Sequence, residues 1–499
     1  MGWLEVQIEK RLGGYRHPMN LVDESLPLKP QRGRKVAVVG AGLAGLSAAV
    51  TLGRRGFAVT LHEKNAYLGG KIGAWPVSLP DGSLQFVEHG FHAFFRHYYN
   101  LNAFLDSLGL RSGFREIEDY AILTLEGRRL SFKGVALTPV LNLLSLAKAG
   151  VWSLGDVIRN PRLAGLLAMV RYDPDKTFER FDGVPYQRWA DAMGIPGAMR
   201  LMFNSFSRAF FASPDLMSTG ELLKSFHSFF LSHDGGLLYD YPATDYEQAF
   251  LGPLRAELSR LGVEVRLGAG VESVRRAAAG FTVAGGACDA VILASDAAST
   301  RRLVEASEGL DDPAFQRQIG TLKASQGYAV LRLWADRRLA EPVPGFVITE
   351  HQEVLDSVTF YHQVSEPARR WAQDRGGVYE LHCYALPPHL TSDQQIRDRL
   401  VEEFLGYFPA LRGMTIVHEH LQVKRDFTAL HAGLYKDRPG VETPIPNLYL
   451  AGDWVRLPRP AMLMEAACTA GLLAANAILR TAGLREQPLF SVPSKGLLA

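Results

Sequence analysis

The chain has 499 residues, 47% hydrophobic, 10% aromatic and 21% charged. This is a globular composition, long enough for two or three domains or one large enzyme fold with an insertion, and it excludes collagenous, coiled-coil and wholly disordered chains. Lys and Arg number 54 against 52 Asp and Glu, a net charge of +2 with no domain-length stretch of one sign, so no nucleic-acid partner is expected.

Residues 1–34 read as a leader, with charges throughout its first thirty positions and no apolar signal core, so secretory targeting is not expected. From Lys35 the pattern changes. Val36 to Val39 is a β-branched and apolar run of the kind buried on both faces of a parallel sheet, and Gly40, Gly42 and Gly45 follow at once as G-x-G-x-x-G. Leu46 to Arg55 has helical spacing, and Phe57 to Leu61 reads as a second parallel strand leading to Glu63. Gly40 permits the tight turn, Gly42 lets a pyrophosphate approach the backbone, and Gly45 allows close helix packing. Free N–H groups and the helix dipole hold the phosphate charge. Glu63 is placed to accept hydrogen bonds from a ribose hydroxyl, with Lys64 beside it.

This βαβ unit alone leaves NAD and FAD open. Asn65-Ala-Tyr-Leu-Gly69-Gly70-Lys71 comes next: its glycines let the chain run close to a cofactor, and Lys71 can meet a phosphate or flavin oxygen. The continuation resembles that of two-dinucleotide-binding flavoproteins. His89, His92 and His97 share the following segment without a carboxylate–histidine pattern of metal-ligand spacing, and no metal is expected. His418 and His420, alternate residues of a strand, are no better.

Val135 to Trp152 is the most apolar long stretch, but Pro139, Asn142, Lys148 and Gly150 interrupt it, so it reads as buried or interfacial. Lys148, Arg159, Arg162 and Arg171 interleave with Leu137, Leu144, Leu163 and Leu167, a pattern equally suited to a solvated face and to a lipid surface. Aromatic residues cluster at Phe91, Phe94, Phe95, Tyr98 and Tyr99, at Phe203, Phe206, Phe210 and Phe211, and at Phe226, Phe229 and Phe230. At least half are expected to be plain core, and the others would suit an aromatic-lined tunnel.

Gln248 to Leu261 reads as an amphipathic helix, Gly262 to Leu267 and Val271 to Val274 as a strand pair, and Cys288 to Ala294 as another buried strand. Val271 falls where such folds press backbone against adenine. Asn447-Leu-Tyr-Leu-Ala-Gly452-Asp453 is a short apolar strand ending in Gly-Asp, whose carboxylate can meet a ribityl or nearby hydroxyl. Met464 to Asn476 reads as a helix with small residues on its packing face, its N-terminus aimed at the flavin's pyrimidine edge. Cys288, Cys383 and Cys468 are far apart and odd in number, which fits neither a disulfide framework nor a thiolate zinc site and suits a reducing, cytoplasmic setting.

From Val36 to about Arg480 the chain resembles the FAD-dependent carotenoid desaturases of the phytoene desaturase and monoamine oxidase superfamily. Gly69-Gly-Lys-Ile-Gly-Ala-Trp75 and Glu88 to Leu101 are similar to plant-type carotene desaturases. Tyr328 to Trp334, Asp336-Arg337 and Glu380 to Ala385 are similar to the subgroup that makes aromatic end groups, the isorenieratene synthases. Two departures stand out: Lys71 where amine oxidases commonly have arginine, and Ala466-Ala467 where Gly-Ala is commoner after Met-Glu. Arg412 to Gly452 holds no cysteine, so the FAD is expected to be non-covalent.

The resemblance implies an α/β fold, a Rossmann-type FAD-binding domain assembled from 35–120, 236–296 and 436–482, with an inserted α+β substrate domain from 121–235 and 297–435 and a tail from 483. It implies a carotenoid substrate, peripheral contact with a membrane surface from the cytoplasmic side, and an electron acceptor such as a quinone or oxygen. In relatives the Gly90-Phe-His92 element passes close to the flavin, so Glu88 or His92 is the expected proton acceptor. The expected reaction dehydrogenates a carotenoid β-ring to an arene with a 1,2-methyl shift. An acyclic carotene desaturase or cis–trans isomerase, a flavin amine oxidase and a flavin-bearing scaffold are the alternatives.

Overall fold

The computed structural model describes residues 3–31, 33–148 and 150–499. A five-stranded parallel sheet runs in the order Glu264–Arg266, Ala58–His62, Lys35–Val39, Ala290–Leu293, Leu448–Leu450. Its three inner strands are mostly Val, Ile, Leu and Ala and almost wholly buried, because helices pack against the sheet and the strands Gly280–Val283 and Gly286–Cys288 contact it as well. Two of these helices, Leu43–Arg54 and Leu463–Thr481, touch through small residues. A Cβ on Gly471 would sit 2.0 Å from the Ala44 carbonyl oxygen, and Ser47 Oγ donates to the Cys468 carbonyl at 3.2 Å. Leu463–Thr481 is long and apolar enough to cross a membrane, but 78% of it is buried, which marks a core helix.

The sequence places a strand pair at 262–267 and 271–274, and the structure corrects this. Glu264–Arg266 adds to the parallel sheet beside Ala58–His62, while Val274–Ala277 opens an antiparallel meander with Gly280–Val283 and Gly286–Cys288. Both runs carry real strand signals, but register depends on distant partners and cannot be read locally.

The second layer is a seven-stranded mixed sheet in the order Ile416–Lys424, Tyr328–Ala335, Gly377–Cys383, Ser357–Phe360, Phe346–Thr349, Tyr120–Leu123, Arg129–Ser131. Every residue of Tyr328–Ala335 and of Gly377–Cys383 is buried, so Arg332, Glu380 and His382 enter the interior on strands. Helices between Leu141 and Phe226 complete this half, among them Gly197–Ala209 and Thr219–Phe226. The leader is folded onto the molecule: Ile8, Leu12 and Tyr15 pack against Val140 and Leu497, and His17–Pro18 pairs with Phe490–Ser491.

Candidate functional site

One cavity of about 1110 Å³ runs from the carboxyl ends of the parallel strands to the seven-stranded sheet. At its first end the turn after Lys35–Val39 does what its glycines require. Gly40 has φ +109°, and a Cβ there would lie 2.6 Å from the Ala294 carbonyl oxygen. A Cβ on Gly45 would meet the Gly40 carbonyl oxygen at 1.9 Å, whereas one on Gly42 would point into open space. The conformation at Gly42 is ordinary, φ −73°, so its smallness keeps room for a ligand and is not needed by the backbone. Gly69 N–H donates to the Ala41 carbonyl at 2.8 Å, which draws the Gly69-Gly70 turn alongside.

Glu63 lines this end, its Oε2 accepting Ala41 N–H at 2.9 Å and its Oε1 accepting Asn65 N–H at 2.8 Å. A carboxylate has about four lone-pair positions, so it keeps capacity for a hydroxyl. Lys64 and Val271 also line it, with Lys64 facing Asp296 at 3.5 Å. Farther in, Lys71 Nζ pairs with Asp453 Oδ2 at 2.8 Å and stands 4.6 Å over the Phe427 ring. Burial would lower the Lys71 pKa, but Asp453 and Asp426 outweigh it and keep the ammonium charged. Gly69, Gly70, Gly452, Asp453 and Met464 all line the same cavity, so the structure gathers all the cofactor residues expected from sequence except Gly45, whose task is packing.

The two expected proton acceptors separate. His92 lines the cavity, its backbone N–H held by the Tyr246 hydroxyl at 2.9 Å and its Nδ1 donating to the Gly90 carbonyl at 2.7 Å. Burial and neighbouring His89 pull its pKa down to about 4, so the ring is neutral near pH 7. Glu88 is buried away from the cavity lining. It shares Arg332 with Glu380 and accepts the Tyr361 hydroxyl at 3.2 Å. Burial raises the Glu88 pKa. For Glu380 burial acts the same way, but Arg332 and His382 overcome it and hold the carboxyl at about 2.

Three groups that sequence reasoning did not assign stand at this junction. Tyr328 donates to Asp426 Oδ1 at 3.1 Å and hydrogen-bonds His89, whose Nε2 also lies 3.4 Å from Asp426. His382 lines the cavity and pairs with Glu380 at 2.9 Å. Deeper in, a buried Arg208–Asp356 ion pair lines the wall, and Asp356 is held at about 2 because Arg208 and His351 overcome its burial. Glu380 and His382 are alternate residues of one strand, while the Tyr328–His89–Asp426 and Arg208–Asp356 contacts join segments about a hundred or more residues apart, which no local motif announces. His97 stacks on His233 with ring centroids 4.0 Å apart, and among the described residues no three His, Cys, Asp or Glu side chains are grouped to hold a metal.

Of the twelve aromatic residues in the three clusters, Phe91, Phe95, Tyr98, Phe206, Phe210, Phe211 and Phe229 line the cavity. That is more than half, where the sequence suggested that at least half would be plain core. The reason is geometric: rings from three separate segments converge on one void. The cavity therefore joins a polar, glycine-floored groove for a nucleotide-bearing ligand to an aromatic chamber for an apolar one.

The chain matches the family model described as flavin containing amine oxidoreductase over residues 43–479. It is 37% identical to a carotenoid phi-ring synthase of Streptomyces griseus, covering 97% of this chain and 96% of that protein. A carotenoid phi-ring synthase of Chlorobaculum tepidum is 27% identical over 98% of this chain and 96% of its own. Among solved structures, a putrescine oxidase bound to putrescine superposes with a TM-score of 0.66 at 16% identity, over 90% of this chain and 99% of that one, which shows a shared fold.

Proposed function

We propose that this chain, which belongs to the flavin-containing amine oxidoreductase family, binds FAD non-covalently and converts the β-rings of a carotenoid to aromatic rings with a 1,2-methyl shift. The single observation that carries the reading is the joined cavity: a groove fitted to a dinucleotide opens directly into a chamber lined by aromatic rings. Relatives named for phi-ring synthesis, alike over nearly the whole chain, support the same reading. Segments 35–120, 236–296 and 436–482 then form the FAD-binding unit.

The residues present fit that cofactor. Open room at Gly42 takes the pyrophosphate, Glu63 the ribose, Lys71 and Asp453 the ribityl and ring region, and the N-terminal end of Leu463–Thr481 lies beside Met464 at the cavity. The three described cysteines are buried and none lines the cavity, which supports non-covalent attachment. When bound, the flavin supplies a two-electron acceptor, to be reoxidised by a quinone or oxygen.

The ring chemistry sets what the protein must do. A β-ring carries two methyls on one quaternary carbon and cannot become aromatic by hydrogen loss alone. One methyl must migrate, and four hydrogens leave as two hydrides and two protons. Phe95, Phe206, Phe210 and Phe229 present ring faces and edges that hold the polyene and stabilise cationic charge on it. The aromatic walls exclude water, which would otherwise trap such a cation. Delivery of so apolar a substrate calls for a membrane. Leu144, Ile158 and Leu167 are exposed beside exposed Lys148, Arg159, Arg162 and Arg171, and we assign this face, within 131–172, to peripheral contact with lipid on the cytoplasmic side.

Expression in a β-carotene-producing cell tests the reading through pigment mass and absorbance. The expected product keeps every carbon and loses four hydrogens per converted ring. An acyclic product newly desaturated along its chain would assign the protein to the runner-up, an acyclic carotene desaturase, and unchanged pigment would leave an amine oxidase or a scaffold.

A further inference from the structure

Segment 88–92 carries three titratable side chains, and all three are poorly placed to take a proton from substrate. Glu88 faces Arg332 and Tyr361, away from the cavity. His89 engages Tyr328 and Asp426 through Nε2. His92 leaves Nε2 free, but only the Gly90 carbonyl backs its ring. His382 differs from all three. It lines the cavity at 3% exposure, its Nε2–H donates to Glu380 Oε1 at 2.9 Å, and its Nδ1 has no hydrogen-bond partner among the described residues. A Cβ on Gly90 would lie 3.2 Å from His382 Cε1, so the ring stands directly over the Gly90 backbone, and only a glycine leaves that approach clear.

Glu380 is itself fixed: the same Oε1 accepts Phe91 N–H at 2.9 Å, and Oε2 binds Arg332. A buried carboxylate held in this way selects the tautomer that presents an unprotonated Nδ1, and it stabilises the charge that proton uptake creates.

The geometry points to His382 as the proton acceptor in each ring dehydrogenation, with Glu380 as its positioning residue. This inference rests on the carotenoid reading. In each oxidation one ring hydrogen leaves with its C–H electron pair, accepted by the bound flavin. After the methyl migrates or the charge relocates, a second hydrogen leaves as a proton to His382 Nδ1, and its C–H pair stays in the ring as the new π bond. The proton then passes to solvent, restoring the neutral ring for the next oxidation.

The test uses flavin-loaded His382→Gln and His382→Ala proteins in liposomes carrying β-carotene. Both are expected to keep wild-type flavin content and a KM within a few fold, and to lose roughly 10²- to 10⁴-fold in kcat. Added imidazole should restore arene formation in His382→Ala, where it can occupy the vacated space, and not in His382→Gln; a purely structural role would not respond in this way. His92→Gln should lose less than about tenfold. A His382→Gln enzyme with near wild-type kcat overturns the assignment, as does a His382→Ala enzyme that holds flavin but gains nothing from imidazole. If the alanine variant does not hold flavin, the glutamine variant decides through kcat alone. Wild-type protein that forms no arene would instead defeat the carotenoid reading itself.

Discussion

Lys71 and Asp453, 382 positions apart in sequence, meet at 2.8 Å in the middle of the cavity, and Asp453 Oδ1 also accepts the Thr428 hydroxyl at 2.8 Å. The ion pair ties the turn after the first βα unit to the end of the last parallel strand, so both halves of the cofactor groove are set by one contact. Replacing Asp453 with Ala removes the larger of the two carboxylate contributions that outweigh the burial of the Lys71 ammonium, leaving Asp426. The expected result is flavin retention weakened by at least tenfold, about 1.4 kcal/mol, read from flavin released on gel filtration.

Gly42 and Gly45 make a matched pair of tests. Gly42→Val places its side chain in open space with an ordinary backbone conformation, so the protein should fold with a melting temperature near wild type and emerge colourless. Gly45→Val drives a Cβ into the Gly40 carbonyl and should cost several kcal/mol of stability, about the upper end for single substitutions. A Gly42→Val protein that kept full yellow colour would remove the groove assignment.

Arg332 is buried with both Glu88 and Glu380 against it and its guanidinium 3.7 Å from the centre of the Tyr361 ring. Arg332→Met leaves two interior carboxyls without their cation. The expected destabilisation is about 3–5 kcal/mol, measurable by denaturant unfolding. A double change, Glu88→Gln with Arg332→Met, should recover part of that loss, since one uncompensated charge is then gone.

Much of the cofactor site is legible in the sequence because its signals are local. Val36–Val39, Gly40, Gly42, Gly45 and Glu63 lie within one βαβ unit, and sterics force their arrangement. The Gly452-Asp453 element is legible as a motif, although its contact with Lys71 is not. What the sequence hides is register. Glu88 looks like a free carboxylate beside a Gly-x-His element, and only the pairing of Arg332 opposite Glu380 across adjacent strands shows that it is committed. Glu380 and His382 sit together in the sequence as alternate residues of one strand, but only tertiary packing brings them against Gly90 and the cavity. The strand at Glu264–Arg266 was misassigned for the same reason: its partner lies two hundred residues away.

Acid should unfold the protein in a window these carboxyls define. Glu380 and Asp356 both titrate at about 2 in the folded chain, below ordinary values of 4.5 and 3.8. Their depressed pKa contributes stability that is fully present above those ordinary values and is lost as pH falls toward 2. Melting temperature should therefore drop between pH 4.5 and pH 2, and Glu380→Gln should flatten part of that slope at the cost of lower stability at neutral pH.

The lipid face is tested by flotation. Liposomes should carry the protein upward, more strongly with anionic lipid because of Lys148, Arg159 and Arg162. Changing Leu144, Ile158 and Leu167 together to Gln should leave it at the bottom of the gradient. Wild-type protein that stays at the bottom with anionic and neutral lipid alike would withdraw this assignment.

The most direct measurement follows one carbon. Purified flavin-loaded enzyme is supplied with β-carotene labelled at a single geminal methyl of the ring, and the product is examined by mass and carbon NMR. The account predicts an arene of unchanged carbon count that retains the label, on the original or on the adjacent ring carbon according to which geminal methyl carried it. Loss of the labelled carbon, or a product dehydrogenated with both geminal methyls still in place, would contradict it.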